Sequence, residues 1–591
     1  MERNQVETRY KWQIEDVFPS DEAWEKAYEE AEKSIDFASY SGKLGDKAAL
    51  LELLKKNDEF SKKIERVYLY ASMKHDEDTR VSKYNAYTAK CMALISKYSA
   101  EMAFFEPELA EQDKAYLNSL LEDKAFSDYD YQIKTLIKRK PHVIPENEER
   151  LVALAGETLG SFSDIFSMID NADLPLPEIE YEGKKVKISH GLYGMILHSS
   201  DREKRKEVYE KYYGAYTGLI NTITQTYYGN VKKDVFLSRA YKYNSCLERA
   251  LSSEDVKEVV YTNLLKAVKG SLPSMHRYIA DRKKILGYDK LYFYDVYAPL
   301  VSDVEVKMNY DDAYAYVIKG LAPLGKDYQA LLKRGHDERW IDVEETAGKR
   351  SGAYSTGCFG VHPFVLLNYQ PTISDIFTIA HEMGHSLHTY FSAHNQPYAK
   401  SDYRIFVAEV ASTVNEVLLL KFMLADTEDT NLRKYLLNYY LDTIRATLHR
   451  QTMFAEFEYE AHTRAEKGEP LTKEVLCDVY GRIGKEYYGD AIEHDYNISC
   501  EWARIPHFYR AFYVYKYATG ITAAINIAHR ILSEGEEAVK DYFKFLSSGS
   551  SSDPVSLLRL AGVDLETAEP FEFAMREFED TLNEFEKMMK L

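Results

Sequence analysis

Cysteine, basic charge and long apolar runs are all scarce in this sequence, and each scarcity excludes something. The 75 Lys and Arg residues are outnumbered by 95 Asp and Glu, leaving a net charge of −20 at pH 7. A nucleic-acid backbone or an anionic membrane demands a basic face, so neither is expected as a partner. Only five cysteines occur (Cys91, Cys246, Cys358, Cys477 and Cys500), odd in number and without a CxxC pair. That pattern encodes no disulfide framework and fits buried, idle thiols in a reducing compartment. No segment reaches the ~18 unbroken apolar residues of a membrane-spanning helix, and the N-terminus lacks the apolar core of a signal peptide. The expectation is a cytoplasmic protein, monomer or small homo-oligomer. Low-complexity tracts, solenoid-length repeats and long Pro/Gly linkers are also missing.

What is present is mostly helical. Stretches such as "DEAWEKAYEEAEKSIDFASY" and "LNYYLDTIRATLHRQTMFAEFEYEAHTRAEKG" place apolar or aromatic residues every three or four positions among charges. Strand signals are few. Glu178–Ser189 reads as a hairpin around an EGK turn, and "RWIDVEE" and "HPFVLLNY" as short extended segments flanking a Gly/Ser-rich loop, "KRSGAYSTGCFG". Breaks at Pro141–Pro145 and Leu174–Pro177 suggest an N-terminal helical lobe over 1–200, with 201–591 as a second, catalytic domain.

"TIAHEMGHSLHTY" puts three histidines within eight residues. The helix it belongs to opens with Pro371, the cap-type residues Thr372 and Ser374, and Asp375, a carboxylate where the helix dipole favours one. Positions 373, 377, 380, 384, 387 and 391 form an apolar stripe; Ser374, Thr378, His381, His385, His388 and Ser392 form a polar seam. His381 and His385, one turn apart, can present ring nitrogens to one metal ion. Glu382, rotated about 100° from His381, flanks that ion and suits a general base acting on water. This is the H-E-x-x-H pattern of zinc peptidases.

A catalytic zinc takes three protein ligands and keeps one open position. His388 lies about 10 Å along the axis from His381, too far for three ligands on one straight helix to converge easily. The alternative is Glu409, in "DYRIFVAEVASTVNEVLLLKFM", with Glu416 seven residues on along the same face. Two carboxylates on an otherwise apolar helix fit one ligand and one partner that orients a ligating imidazole.

"HEMGHSLH" followed by "FVAEVASTVNE" resembles the thimet-oligopeptidase family of zinc peptidases. "RYKWQIEDVFPSDEAW", "KRSGAYS", "HPFVLLNY" and "HFYRAFYVYKYATG" extend the resemblance, over nearly the whole chain, to its oligoendopeptidase F group. The resemblance implies one Zn²⁺ per chain held by His381, His385 and Glu409, with Ser412 completing the E-x-x-S match and His388 left as a neighbour. It implies a mostly α, two-lobed zincin-type metallopeptidase with a deep central cleft, a small β-element beside the active-site helix, and short peptides as substrates. It further implies His and Tyr side chains over the metal: Tyr515 matches the oxyanion-stabilising tyrosine, with His507 and Tyr513 nearby. The chain lacks a Gly-Gly insertion that more distant relatives show after the histidine, so the choice between Tyr513 and Tyr515 stays open. Backbone groups of Gly352, Ala353 and Tyr354, and of the "FVLLNY" strand, are candidates for holding an extended peptide by strand addition. The function expected is a zinc-dependent endopeptidase of short, unstructured oligopeptides. The alternatives are a carboxypeptidase or dipeptidyl carboxypeptidase of the same zinc type, or a catalytically silent helical peptide-binding protein.

Overall fold

The computed structural model describes residues 1–301, 304 and 306–591. It is built almost wholly of helices, with small two- and three-stranded sheets. Among the described residues no helix is long and apolar enough to cross a membrane. The expected hairpin forms: Glu178–Tyr181 pairs antiparallel with Lys184–Lys187. Its turn takes Glu182 at φ 50° and Gly183 at φ 73°, both left-handed, as a two-residue hairpin turn requires.

The chain folds into two compact units that do not follow the 1–200/201–591 division. The first comprises Met1–Val143, Glu305–Met423 and Ile527–Val563; the second comprises Ile144–Val304, Leu424–Asn526 and Asp564–Leu591. The reason is burial that ignores chain order. In the first unit Trp12, Trp24 and Tyr70 share one core with Cys358, Phe364 and Leu366. Arg3 pairs with Asp342 across 339 residues at 2.7 Å, and Trp12 Nε1 donates to Glu77 at 2.7 Å. The N-terminal helices therefore belong with the histidine helix, and the hairpin belongs to the other unit.

The sheet of the first unit is the expected β-element. Phe364–Leu366 lies at its centre, parallel to Ile341–Asp342 on one side and antiparallel to Tyr354–Thr356 on the other. Ser355 Oγ meets Ser386 Oγ of the histidine helix at 2.8 Å, fixing the sheet beside it. The second unit holds long helices such as Arg202–Gly218 and Ile220–Ala240, rich in buried tyrosines. All five cysteines are buried and free. Cys477 Sγ and Cys500 Sγ nevertheless lie 3.3 Å apart, a proximity that 23 residues of sequence separation conceal.

Candidate metal centre

The histidine helix spans Ile373–Asn395. As the sequence suggests, Thr372 caps it, its hydroxyl accepting the Asp375 N–H at 3.2 Å, and the Asp375 carboxylate returns to the Thr372 hydroxyl and the Gln370 N–H. The polar seam changes character along its length. Ser374 is exposed, His381 and His385 are half-buried, and His388 and Ser392 are fully buried. Three histidines that look alike in sequence thus divide into two half-buried and one fully buried.

The helix Ile405–Asp426 crosses at Gly384. A Cβ there would sit 2.5 Å from Ser412 Cα and 2.7 Å from the Ala411 carbonyl oxygen, distances no real side chain tolerates. Only glycine admits so close an approach. Asn415 fastens the crossing by donating to the Ala380 carbonyl at 2.9 Å and accepting from Tyr328 at 3.0 Å.

This crossing brings Glu409 to the two imidazoles. His381 Nε2 and His385 Nε2 are 3.2 Å apart, and Glu409 Oε2 is 3.3 Å from each. Among the described residues these three are the one group of His, Cys, Asp or Glu whose donor atoms converge enough to hold an ion. A tetrahedral zinc about 2.0–2.1 Å from each ligand requires ligand–ligand edges of about 3.3–3.4 Å. The near-equilateral triangle therefore fits zinc without rearrangement. Its electrostatics agree. Burial disfavours a charged His381, but hydrogen bonds to Glu409 and Glu416 and nearby carboxylates raise its pKa to about 10. Burial would raise Glu409, yet the hydrogen bonds from His381 and His385 hold it well below the usual carboxylate range. A field that favours positive charge this strongly also favours a divalent cation.

The surrounding side chains fix the triangle. Glu416 accepts from His381 Nδ1, which orients the ring and leaves Nε2 free to ligate. Ser412 Oγ donates to Glu409 Oε2 at 3.1 Å and to the Glu409 carbonyl at 2.9 Å. Glu382 is buried, and its Oε2 has no hydrogen-bond partner. Burial raises its pKa, His381 and His385 opposing. It is a carboxylate prepared to take a proton.

His388 is not part of this arrangement. Its ring stacks on Tyr403 at 3.7 Å and packs against Phe545 at 5.2 Å, and burial pushes its pKa down to about 3. A neutral ring 1% exposed, packed against two aromatic side chains, is a packing element outside the triangle. The Gly352–Tyr354 segment divides. Gly352 has φ 85°, where a side chain would be strained, and its carbonyl accepts from Asn368 at 2.8 Å. The Tyr354 hydroxyl donates to Asp76 at 2.8 Å, so the side chain is structural while the strand it starts is a sheet edge. The "FVLLNY" strand is the central one and has partners on both sides, which removes it as a peptide-binding edge.

The aromatic segment of the second unit is not one helix. A short 3-10 turn, Pro506–Tyr509, is followed by irregular chain with Phe512 at φ 54°, and a helix begins only at Tyr515. The Phe512 N–H donates to the buried Glu458 at 3.0 Å, which holds that left-handed residue in place. Tyr515 is fully buried, its ring 5.2 Å from Tyr261. It cannot meet a substrate, and this choice is corrected. Tyr513 and His507 are accessible and stack at 6.0 Å. Tyr517, which the sequence reading missed, meets His507 Nε2 through its hydroxyl at 3.3 Å. Its signal in the sequence is the alternation of tyrosines at 513, 515 and 517.

Two imidazoles and a carboxylate at zinc spacing, with a buried carboxylate beside them, form a candidate metallopeptidase centre. The chain belongs to peptidase family M3, whose model matches residues 195–577, and an oligopeptidase F model matches residues 108–175. Oligopeptidase PepF of Bacillus subtilis is 44% identical over 593 residues, covering 100% of this chain and 88% of its own. Group B oligopeptidase PepB of Streptococcus agalactiae is 41% identical, covering 99% and 98%. The crystal structure of oligoendopeptidase-F from Enterococcus faecium superposes with a TM-score of 0.75 at 34% identity, covering 96% of this chain and 99% of that one. A crystal structure from Chlamydophila abortus reaches 0.93 at the same identity, covering 99% of each. The protein is an oligopeptide-cleaving metallopeptidase of a generally zinc-dependent family.

Proposed function

We propose that the chain is a zinc-dependent endopeptidase that cuts internal bonds of short, unstructured peptides in the cytoplasm, with one Zn²⁺ held by His381, His385 and Glu409. The 3.2–3.3 Å triangle beside the buried Glu382 carries this reading. When bound, zinc would supply Lewis acidity, making water a nucleophile near neutral pH and polarising the scissile carbonyl. Glu382 accepts the proton of the attacking water and hands it to the leaving amine. Glu416 holds His381 in its ligating tautomer. The outer edge of Tyr354–Thr356 offers backbone groups to an extended peptide. His507, Tyr513 and Tyr517 are the candidates for holding the substrate and the developing oxyanion.

The test uses a quenched fluorescent peptide blocked at its C-terminus by an amide. Internal cleavage, abolished by chelator and restored by one equivalent of zinc per chain, is expected. Release only of C-terminal residues from unblocked peptides would reassign the protein as a carboxypeptidase, and zinc without cleavage would make it a silent binder.

Two subsidiary results are expected. Glu416→Ala weakens zinc binding by about 10–100-fold, the usual cost of losing a partner that orients a ligand, measured by competition with a chromophoric chelator. Removing one oxyanion donor costs about 10²–10³ in kcat. Tyr517→Phe or Tyr513→Phe should show a loss of that order, while Tyr515→Phe stays within about twofold of the parent. A large loss confined to Tyr515→Phe would reverse the assignment.

A further inference from the structure

The segment that carries His507, Tyr513 and Tyr517 is fastened at two points to one helix, Arg450–Glu466. Beside His507, the fully buried Phe508 packs on Phe454 and Phe457, with ring centroids 5.4 and 5.1 Å away. Beside Tyr513, the Phe512 N–H donates to Glu458 Oε1 at 3.0 Å. The Phe512 ring lies 4.7 Å from the His462 ring and 5.9 Å from that of Tyr261. Both rings are tied to the same helix: His462 Nδ1 is 2.8 Å from the Glu458 carbonyl oxygen, and the Tyr261 hydroxyl donates to the Ala455 carbonyl at 2.6 Å. Phe512 thus sits in a socket of Glu458, His462 and Tyr261, each at most 1% exposed.

Two features of this socket are costly to folding. Phe512 has φ 54°, a left-handed conformation in which a bulky residue is strained and stays only where its surroundings determine it. Glu458 is a carboxyl buried completely, and its Oε2 has no hydrogen-bond partner. Burial pushes its pKa well above the ordinary value, the Phe512 N–H opposing. A glycine at 512 and an apolar residue at 458 would remove both costs. Strain of this kind collects at functional sites, and here its effect is geometric. The left-handed residue turns the chain between the short Pro506–Tyr509 turn and the helix that starts at Tyr515. With that turn in place, His507 Nε2 meets the Tyr517 hydroxyl at 3.3 Å and the His507 ring stacks on Tyr513 at 6.0 Å.

We propose that Glu458 is a positioning residue for peptide cleavage: by fixing Phe512 in its left-handed conformation it sets Tyr513 and Tyr517 beside His507, in the arrangement that meets the substrate. The inference rests on the reading of those three side chains as substrate-facing, and adds the residue that acts through them. Without an acceptor at 458 the Phe512 N–H is left buried and unpaired, and the residue relaxes toward an ordinary backbone conformation. That relaxation rotates the chain just ahead of Tyr513 and carries its ring off His507. Glu458 itself is fully buried and touches no substrate.

The test measures turnover of the quenched peptide by full-length, zinc-loaded variants. Glu458→Met keeps the length of the side chain but accepts no hydrogen bond; its kcat should fall by about 10–10²-fold, the scale of a misplacement of about 1 Å, at unchanged zinc content. Glu458→Gln, whose amide oxygen still accepts, should recover kcat to within about threefold of the parent. Combined with whichever of Tyr513→Phe and Tyr517→Phe lowers kcat, Glu458→Met should cost little more, because both changes remove one interaction. Phe512→Asn should outperform Phe512→Val, since asparagine accepts the left-handed region and a β-branched residue does not. Packing in an apolar socket predicts the reverse order, so this comparison decides the matter even where Glu458→Met fails to fold. Costly tyrosine variants beside a Glu458→Met of parental kcat overturn the proposal alone. So does a loss that Glu458→Gln shares, a loss that multiplies in full with that of the tyrosine, or a Phe512→Val more active than Phe512→Asn. Silent tyrosine variants remove the reading it rests on, and the proposal with it.

Discussion

In a Glu382→Gln variant kcat is expected to fall by about 10²–10⁴-fold, the span attributed to a positioned general acid–base group, while the chain still holds one zinc. The substitution keeps the size and buried position of the side chain and removes only its capacity to take a proton. The triangle proposed to hold the metal consists of His381, His385 and Glu409, none of which is touched. Burial raises the Glu382 pKa, against the pull of two imidazoles, which gives the carboxylate the basicity to accept a proton from water. A glutamine there accepts hydrogen bonds but cannot relay a proton to the leaving amine. The decisive measurement pairs elemental analysis with turnover of a quenched peptide. Full zinc content with turnover within a few-fold of the parent would remove Glu382 from the role of base.

The second large effect comes from a residue with no side chain. Gly384→Ala should lower kcat/KM by about 10²-fold and weaken zinc binding, although alanine is the better helix former by about 1 kcal/mol. The new methyl would lie 2.5 Å from Ser412 Cα and 2.7 Å from the Ala411 carbonyl, both backbone atoms that cannot rotate away. The two helices must separate, and overpacking of this kind costs about 1–3 kcal/mol. Separation carries Glu409 away from His381 and His385, whose spacing of 3.2–3.3 Å matches the ion only as it stands. A misplacement of about 1 Å is enough to cost 10²-fold in such a site. Circular dichroism should show a folded chain with a lowered melting temperature, so the lost activity is not lost fold. Unchanged zinc affinity would mean that the crossing has slack the distances do not reveal.

Much of the site is legible in the sequence because it is written on single helices. His381, Glu382 and His385 follow from helical spacing alone, and Thr372 and Asp375 mark where that helix starts. Glu409 and Glu416 stand out as carboxylates among apolar neighbours, although spacing does not say which imidazole either would meet. The hairpin and the short strands near 341 and 364 are equally local. The resemblance matched Tyr515 to the oxyanion-stabilising tyrosine, whereas Phe512 takes a left-handed conformation, held by Glu458, ahead of a helix that buries the Tyr515 ring. His388 lies on the same seam as the ligands, but the seam runs from surface to core, and burial cannot be read from a helical wheel.

The sequence by itself determined the outline of the proposed chemistry: two imidazoles spaced for a metal, carboxylates as candidates for third ligand and base, and a chain of amphipathic helices without a basic face. Tertiary structure alone decided which residues share a unit and which face solvent. It joined the N-terminal helices to the histidine helix and exchanged Tyr515 for Tyr513 and Tyr517 as accessible tyrosines. The physical reason is that helical period fixes only neighbours within a turn or two. Burial, helix crossing and charge compensation depend on contacts between segments hundreds of residues apart, such as Arg3 with Asp342 or Tyr213 with Glu501, and no local pattern encodes them.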